Sequence, residues 1–338
     1  MLTLVRQTLA ILCLLIFCSS LSLAKEMYDV SKLTPTESFE YGELLRTQLK
    51  NNEALKYLKF SADSGHASGS YVYAMELRRV SNIHRHDNSY RDYFRLAAEN
   101  GSLAAMHYLY AISDWLSPAE KNKFREKYYD HLIELGAVNP SKAYFRLSQY
   151  YMSDNKALSD YYLAQAQRFG LAQAYMERGL RIERGDEEFL FQAKKERVLM
   201  SQYDQAAKLG YIPAIRRLIS IYEARKNFRK ALAWREKALE QRDLITLLSL
   251  SKIYRGISKQ YNFIDADLAK SKAYLETFLE TAGSDALPTL YSQAQRGYLE
   301  LSKIISEEQR MAAESIKRQL MSGPDFYNYD EIMDNIKN

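Results

Sequence analysis

His84 and His86, in the stretch NIHRHDN, are the residues of this chain whose type and spacing come nearest to metal chemistry. Two imidazoles could fill two positions of a tetrahedral site. No Cys, Asp or Glu follows in a pattern that completes the set, so the stretch reads as a polar loop and no metal is expected. The other histidines, His66, His107 and His131, stand apart. Glu187-Glu188 places two carboxylates side by side, but neighbours on a helix do not face each other, and the pair reads as solvated surface. No glycine-rich phosphate loop, G-x-S-x-G elbow or H-E-x-x-H pair occurs. The chain therefore reads as a binding protein without catalytic residues or cofactor. Its 27 tyrosines are the unusual resource.

The first 24 residues differ from the rest. Arg6 is their only charged side chain, an apolar run LAILCLLIF follows from Leu9 to Phe17, and small residues lead to Ser22-Leu23-Ala24. That order is the plan of a secretory signal. Cleavage is expected after Ala24, which predicts a periplasmic or secreted protein with no stable membrane span. The apolar run is shorter than the roughly 20 residues of a spanning helix. Cys13 and Cys18, the only cysteines, would leave with the leader. An exported protein could use disulfides, but this one must be held by packing. A net charge of +5 over 338 residues is weak and does not suggest nucleic acid.

The elements that would present binding residues emerge from internal periodicity. A small residue begins each phrase, an apolar residue stands four later, and an aromatic or aliphatic one stands near the end. Gly69-Tyr73-Ala74-Leu77, Ala105-Leu109-Tyr110-Ser113 (more weakly at its end) and Ala143-Leu147-Ser148-Tyr151 fit, and Ala174-Arg178-Gly179-Ile182 fits except for the arginine. Ala214-Leu218-Ile219-Tyr222, Thr246-Leu250-Ser251-Tyr254 and Ala286-Leu290-Tyr291-Ala294 fit as well. The starts step by 36, 38, 31, 40, 32 and 40 residues. Gly65, Gly101, Gly136, Gly170 and Gly210 precede the first five phrases, and each follows an Ala- and aromatic-rich stretch such as YFRLAAENG. A glycine at that place ends a helix, because it reaches the left-handed conformation without a Cβ clash. Each unit thus reads as two helices, with the glycine as the hinge to the next unit. Ala105, Ala143, Ala174 and Ala214 let neighbouring helices approach closely.

Arg242 and Ala282 stand where the later units should have glycine, and Asn139-Pro140 marks a longer turn after Gly136. Ser117-Pro118-Ala119-Glu120 reads as a helix start with a capping box. The second helix before Gly210 is expected to be extended. The fold class is all-α: a right-handed superhelical solenoid of about six to seven helical hairpins. The organisation predicted is a signal over 1–24, an N-terminal segment and capping helix over 25–49, repeats over 50–300, and a capping helix and tail over 301–338.

The phrases YFRLAAENGSLAAMHYL and YDQAAKLGYIPAIRRLISIY resemble the Sel-1-like repeat, a relative of the tetratricopeptide repeat. Ala97-Ala98-Glu99-Asn100-Gly101 and Ala206-Ala207-Lys208-Leu209-Gly210 approximate that family's hinge, and ALAWREKA over Ala231–Ala238 resembles its aromatic second helix. The second glycine of each unit survives only as Gly179. The resemblance spans roughly residues 50 to 300. It implies an α-solenoid used for protein–protein contact, of the exported bacterial type. Such proteins include envelope adaptors, virulence-associated binders and periplasmic immunity proteins paired with phospholipase-type toxins. A toxin, an effector or an envelope protein is therefore the expected partner; a peptidoglycan- or polysaccharide-binding solenoid is the alternative.

In a solenoid the first helices of the hairpins line one concave surface. Tyr73, Tyr151, Tyr222 and Tyr254 sit at packing positions, whereas Tyr71, Tyr108 and Tyr150 flank them. Tyrosine gives rigid contact area with a polar tip. Tyr71, Tyr108, Tyr150, Arg178, Arg216 and Arg217 are the expected partner-binding residues. A solenoid has no long-range closure, so loss of a terminal unit is expected to shorten the array without unfolding it.

Overall fold

The computed structural model describes residues 29–84 and 88–336. The leader with Cys13 and Cys18, and His86 of the histidine pair, lie outside the described residues. Within them the chain forms 17 α-helices and no strand. Five of the six prolines sit in the first turn of a helix: Pro35, Pro118, Pro140, Pro213 and Pro288. The first turn tolerates proline because its N–H has no helical partner to lose. Capping boxes start helices at Thr34/Glu37, Ser117/Glu120 and Ser306/Gln309.

The helices pair in sequence as seven antiparallel hairpins. These are α1 (Pro35–Thr47) with α2 (Asn51–Asp63), and α3 (Ala67–His84) with α4 (Tyr90–Glu99). Next come α5 (Leu103–His107), continued by a π-turn over Tyr108–Ile112, with α6 (Pro118–Val138), then α7 (Pro140–Tyr150) with α8 (Lys156–Arg168). The last three are α9 (Ala172–Arg184) with α10 (Gln192–Lys208), α11 (Ile212–Ala224) with α12 (Phe228–Glu240), and α13 (Leu244–Tyr254) with α14 (Leu268–Thr281). Two more helices, α15 (Pro288–Ser302) and α16 (Glu307–Met321), pack on α14, and a short α17 (Glu331–Ile336) ends the described chain. The segment read as an N-terminal cap, α1, is the first helix of a hairpin. The 17 residues of α10 make it longer than α8 or α12, at 13 each.

Gly65, Gly101, Gly170 and Gly210 each follow a second helix with φ between +75° and +91°. Arg242 holds the same position after α12 with φ +62°, a conformation that costs a non-glycine residue about 1 kcal/mol. Gly136 departs from the expectation. It lies inside α6, which runs on to Val138, and it is not among the positive-φ residues. The turn is made instead by Asn139, whose side chain accepts from the Lys142 amide, and by Pro140 in the first turn of α7. Three added residues moved the hinge past the glycine.

Ala105, Ala143, Ala174 and Ala214 are buried at the helix contacts. The core forms two large clusters. One joins Leu45, Tyr57, Phe94, Tyr108 and Tyr128 in the first three hairpins. The other joins Tyr203, Ile215, Leu218, Leu247 and Phe278 in the last three. Between them lies a small cluster of Leu163, Ala166 and Ala174.

The expectation of an open array is corrected. The Gly283 amide donates to the Gln48 carbonyl at 2.8 Å, and the Asn52 amide donates to the Asp285 carboxylate at 2.9 Å. Leu49, from the first hairpin, belongs to the core of the last three. Helices pack about 8–10 Å apart, so seven hairpins in a straight row would hold their ends far out of reach. The row must curl until its first hairpin meets the loop after α14.

Candidate binding face and its occupant

The first helices of the hairpins share a set of polar side chains, and one segment, extended and then briefly helical, touches them in turn. That segment belongs to the chain itself, Phe326 to Ile336, beyond the last long helix. It leaves α16 through Ser322-Gly323-Pro324, a break that no helix can cross because proline lacks the N–H and glycine disfavours the helix.

The segment is gripped first by its backbone. The Leu244 amide donates to the Tyr327 carbonyl at 2.9 Å, and the Tyr327 amide donates to the Arg242 carbonyl at 3.0 Å. Together they make one isolated parallel bridge between Asp243 and Tyr327. The Asn328 amide donates to the Thr47 carbonyl at 2.7 Å, and the Gln48 side-chain amide donates to the Phe326 carbonyl at 3.4 Å. So Phe326, Tyr327 and Asn328 bridge the end of α1 to the start of α13.

Charged groups hold the rest. Arg46, with 3% of its side chain exposed, forms a two-pronged ion pair with Asp330. Arg216 donates to the Asn328 side chain at 3.0 Å and to Asp243 at 2.5 Å. Arg146 of α7 donates to the Asp334 carbonyl at 2.9 Å and to the Asn335 side chain at 3.0 Å. Around the Asp334 carboxylate, the Tyr211 hydroxyl donates at 2.5 Å and the Gln173 side chain at 3.3 Å. Asp334 faces an open cavity lined also by Ala172, Gln173, Tyr211 and Ile212, at the starts of α9 and α11. Helix N-termini carry partial positive charge, so this is a favourable place for a carboxylate. Burial, then the Asp334 carboxylate, pushes the Tyr211 hydroxyl well above the ordinary tyrosine range. Tyr211 therefore stays protonated and donates.

Apolar anchors lock the ends. Phe326 is buried in the core of the last three hairpins, beneath the Arg242 guanidinium at 4.9 Å. Ile336 is buried in the core of the first three.

The six expected contact residues do not form one surface. Tyr71 is 4% exposed, and its hydroxyl hydrogen-bonds to Asn335. Tyr108 is 5% exposed, starts the π-turn and stacks on Phe94 at 3.8 Å. These two are packed inside the molecule, because each helix is covered both by its hairpin partner and by the next hairpin. Tyr150 is half-buried among Tyr110, Tyr128, Tyr129 and Tyr151, with Arg125 over its ring. Arg178 pairs with Glu187, and Arg217 with Glu183. Only Tyr71 and Arg216 touch the C-terminal segment. Arg46, Arg146, Gln173 and Tyr211 were not singled out from the sequence, and no periodic signal marks them.

His107, in the wall between α5 and α6, sits near Tyr110 and Tyr128. Burial, with the Arg146 charge second, lowers its imidazole to about 4. It is neutral at physiological pH.

No family model matches this sequence, and no curated protein matches it. Solved structures do resemble it. One is a protective antigen present in uropathogenic Escherichia coli strains displaying an SLR fold, at 17% identity and a TM-score of 0.40 over 88% of this chain. This chain covers 64% of that protein's length. Another is a Sel1 repeat protein from Oxalobacter formigenes, at 13% identity and a TM-score of 0.38, covering 88% of this chain and 90% of that one. Both likenesses are low in identity and in superposition. A shared fold does not carry a function with it, so function has to be read from this chain's own surfaces.

Proposed function

We propose that this chain is a non-enzymatic protein-interaction module that works outside the cytoplasm and receives its partner on the inner face of the curled array. One observation carries the reading: that face already grips a segment of chain, its extended half through main-chain hydrogen bonds and its length through three arginines. Main-chain recognition with side-chain anchors is how folded proteins take up extended peptides. Arginines, which match carboxylates in a fork, favour a peptide over a neutral polysaccharide. The export part of the proposal rests on the leader-like first 24 residues. Among the described residues no helix is long and apolar enough to cross a membrane.

Within this reading, an immunity protein that neutralises a phospholipase-type toxin and an envelope adaptor differ only in the partner. Affinity capture from an envelope extract distinguishes them, using the tagged chain from Lys25 and the Arg146→Glu/Arg216→Glu double variant side by side. One dominant protein held by the first and lost by the second is expected, and its chemistry, hydrolase or assembly factor, identifies the role. Equal retention by both forms, or retention by neither, overturns the proposal.

A further inference from the structure

The segment on the inner face also states what that face selects. Resting on the reading above, we propose that the inner face is a receptor for an extended acidic segment of another protein, and that Phe326–Ile336 holds the site until such a segment displaces it. Three features of the site carry this.

The first is charge. The tail pairs Asp330 with Arg46 and sets the Asp334 carboxylate against the Tyr211 hydroxyl and the Gln173 side chain, while Arg146 and Arg216 hold the Asp334 carbonyl and the Asn335 and Asn328 side chains. Arg46 is the demanding group, since its guanidinium is almost wholly buried and Asp330 is its ion-pair partner. Leaving a buried charge without its partner is strongly unfavourable, so an empty face is a poor state. Whatever replaces the tail must bring a carboxylate to the same place.

The second is the kind of grip. Tyr327 and Asn328 are held through their own amide and carbonyl groups, which every residue except proline supplies. Another extended chain can make the same bonds.

The third is release. The tail hangs from a Gly323-Pro324 break with exposed residues on both sides, and it leaves an open cavity beside Tyr329 and Asp334. Its helical part, α17, is six residues long, far below the roughly 12–15 that give an isolated helix any stability. Once its anchors let go, it has no structure of its own to keep.

The test uses the full mature chain and a fluorescent peptide of the sequence Asp325–Ile336, followed by anisotropy. The chain is compared with its Asp330→Asn/Asp334→Asn form, whose tail has lost its carboxylates but whose face is intact. Weakening the resident tail raises the fraction of open sites, so apparent affinity should rise at least about tenfold. A peptide carrying the same two Asn replacements should not bind, and Arg146→Gln in the weakened chain should remove binding while circular dichroism shows the helices retained. Equal affinity of both chains, binding of the uncharged peptide, or no binding by a folded weakened chain each overturns the proposal. Sedimentation of the weakened chain gives a further outcome. A dimer at micromolar concentration that the peptide dissolves would assign the face to the tail of a second copy and overturn the choice of a foreign partner. A partner captured from the envelope but not competed by the peptide would leave the broader reading standing and remove this one.

Discussion

At Gly101 the backbone sits at φ +91°, and a methyl group there would meet nothing within 4 Å. Gly101→Ala therefore carries a conformational cost alone, about 1 kcal/mol, readable as a lower midpoint in urea. Gly136 lies in a helix interior, where its methyl group would meet only the Ala143 side chain at 3.8 Å. Gly136→Ala should stabilise the chain by about 0.5 kcal/mol in the same assay, and loss of stability there would contradict the placement of α6. His107 sets a pH dependence. Its folded value, about 4, lies below the ordinary 6.5, so between those limits the unfolded chain binds a proton that the folded chain does not. Stability contributed by neutral His107 is thus full above pH 6.5 and is lost as pH falls toward 4, by at most about 3 kcal/mol. His107→Gln should flatten the difference between melts at pH 7 and pH 4.5 relative to the parent; an unchanged difference would show that other groups dominate.

Among the elements, the best-marked boundaries in the sequence were those with local chemistry. Ser117 and Glu120 close the capping box that their spacing predicts, and Ser117→Ala should cost about 1 kcal/mol. Gly65, Gly101, Gly170 and Gly210, the positive-φ glycines that follow second helices, were equally readable. Tyr71 and Tyr108 were not, and the reason is geometric. Helical periodicity tells which residues share a face but not what covers that face. A first helix here is covered by its own partner, by the adjacent hairpin and, along the inner side, by the returning tail. Tyr108→Ala should accordingly cost about 3–5 kcal/mol as a core deletion, seen in thermal melts before any binding assay. Stability equal to the parent would return Tyr108 to the surface. Where the repeat template is weakest, at Ser113, helix α5 is only five residues long and passes into the π-turn, and the Ser113 hydroxyl donates to the Leu109 carbonyl at 2.5 Å.

At the scale of the whole molecule, seven hairpins in series became a closed array. Nothing in a repeat period announces this, because the groups that close it lie up to 284 residues apart and hold no position in the repeat template. Arg46 and Asp330 each look like an ordinary surface charge in the sequence; only the curvature of the assembled row brings them together. The tail adds one anchor to each large core, so its effect should reach both. Removal of the residues after Ser322 should lower the melting temperature of the whole chain by several degrees and increase amide exchange in α1 as well as α13. Exchange confined to α13 and α14 would mean that the two ends are independent.

Closure by residues that follow all the hairpins in sequence also fixes an order in time. Hairpins form from neighbours in sequence and can fold as they emerge, while contacts between distant residues form slowly. The residues that latch Arg46 and Arg146 are synthesised after every hairpin. Until they arrive, the molecule is a row of finished hairpins around an unfilled, arginine-lined inner face, and a newborn chain is at that moment at its most receptive to any acidic segment nearby.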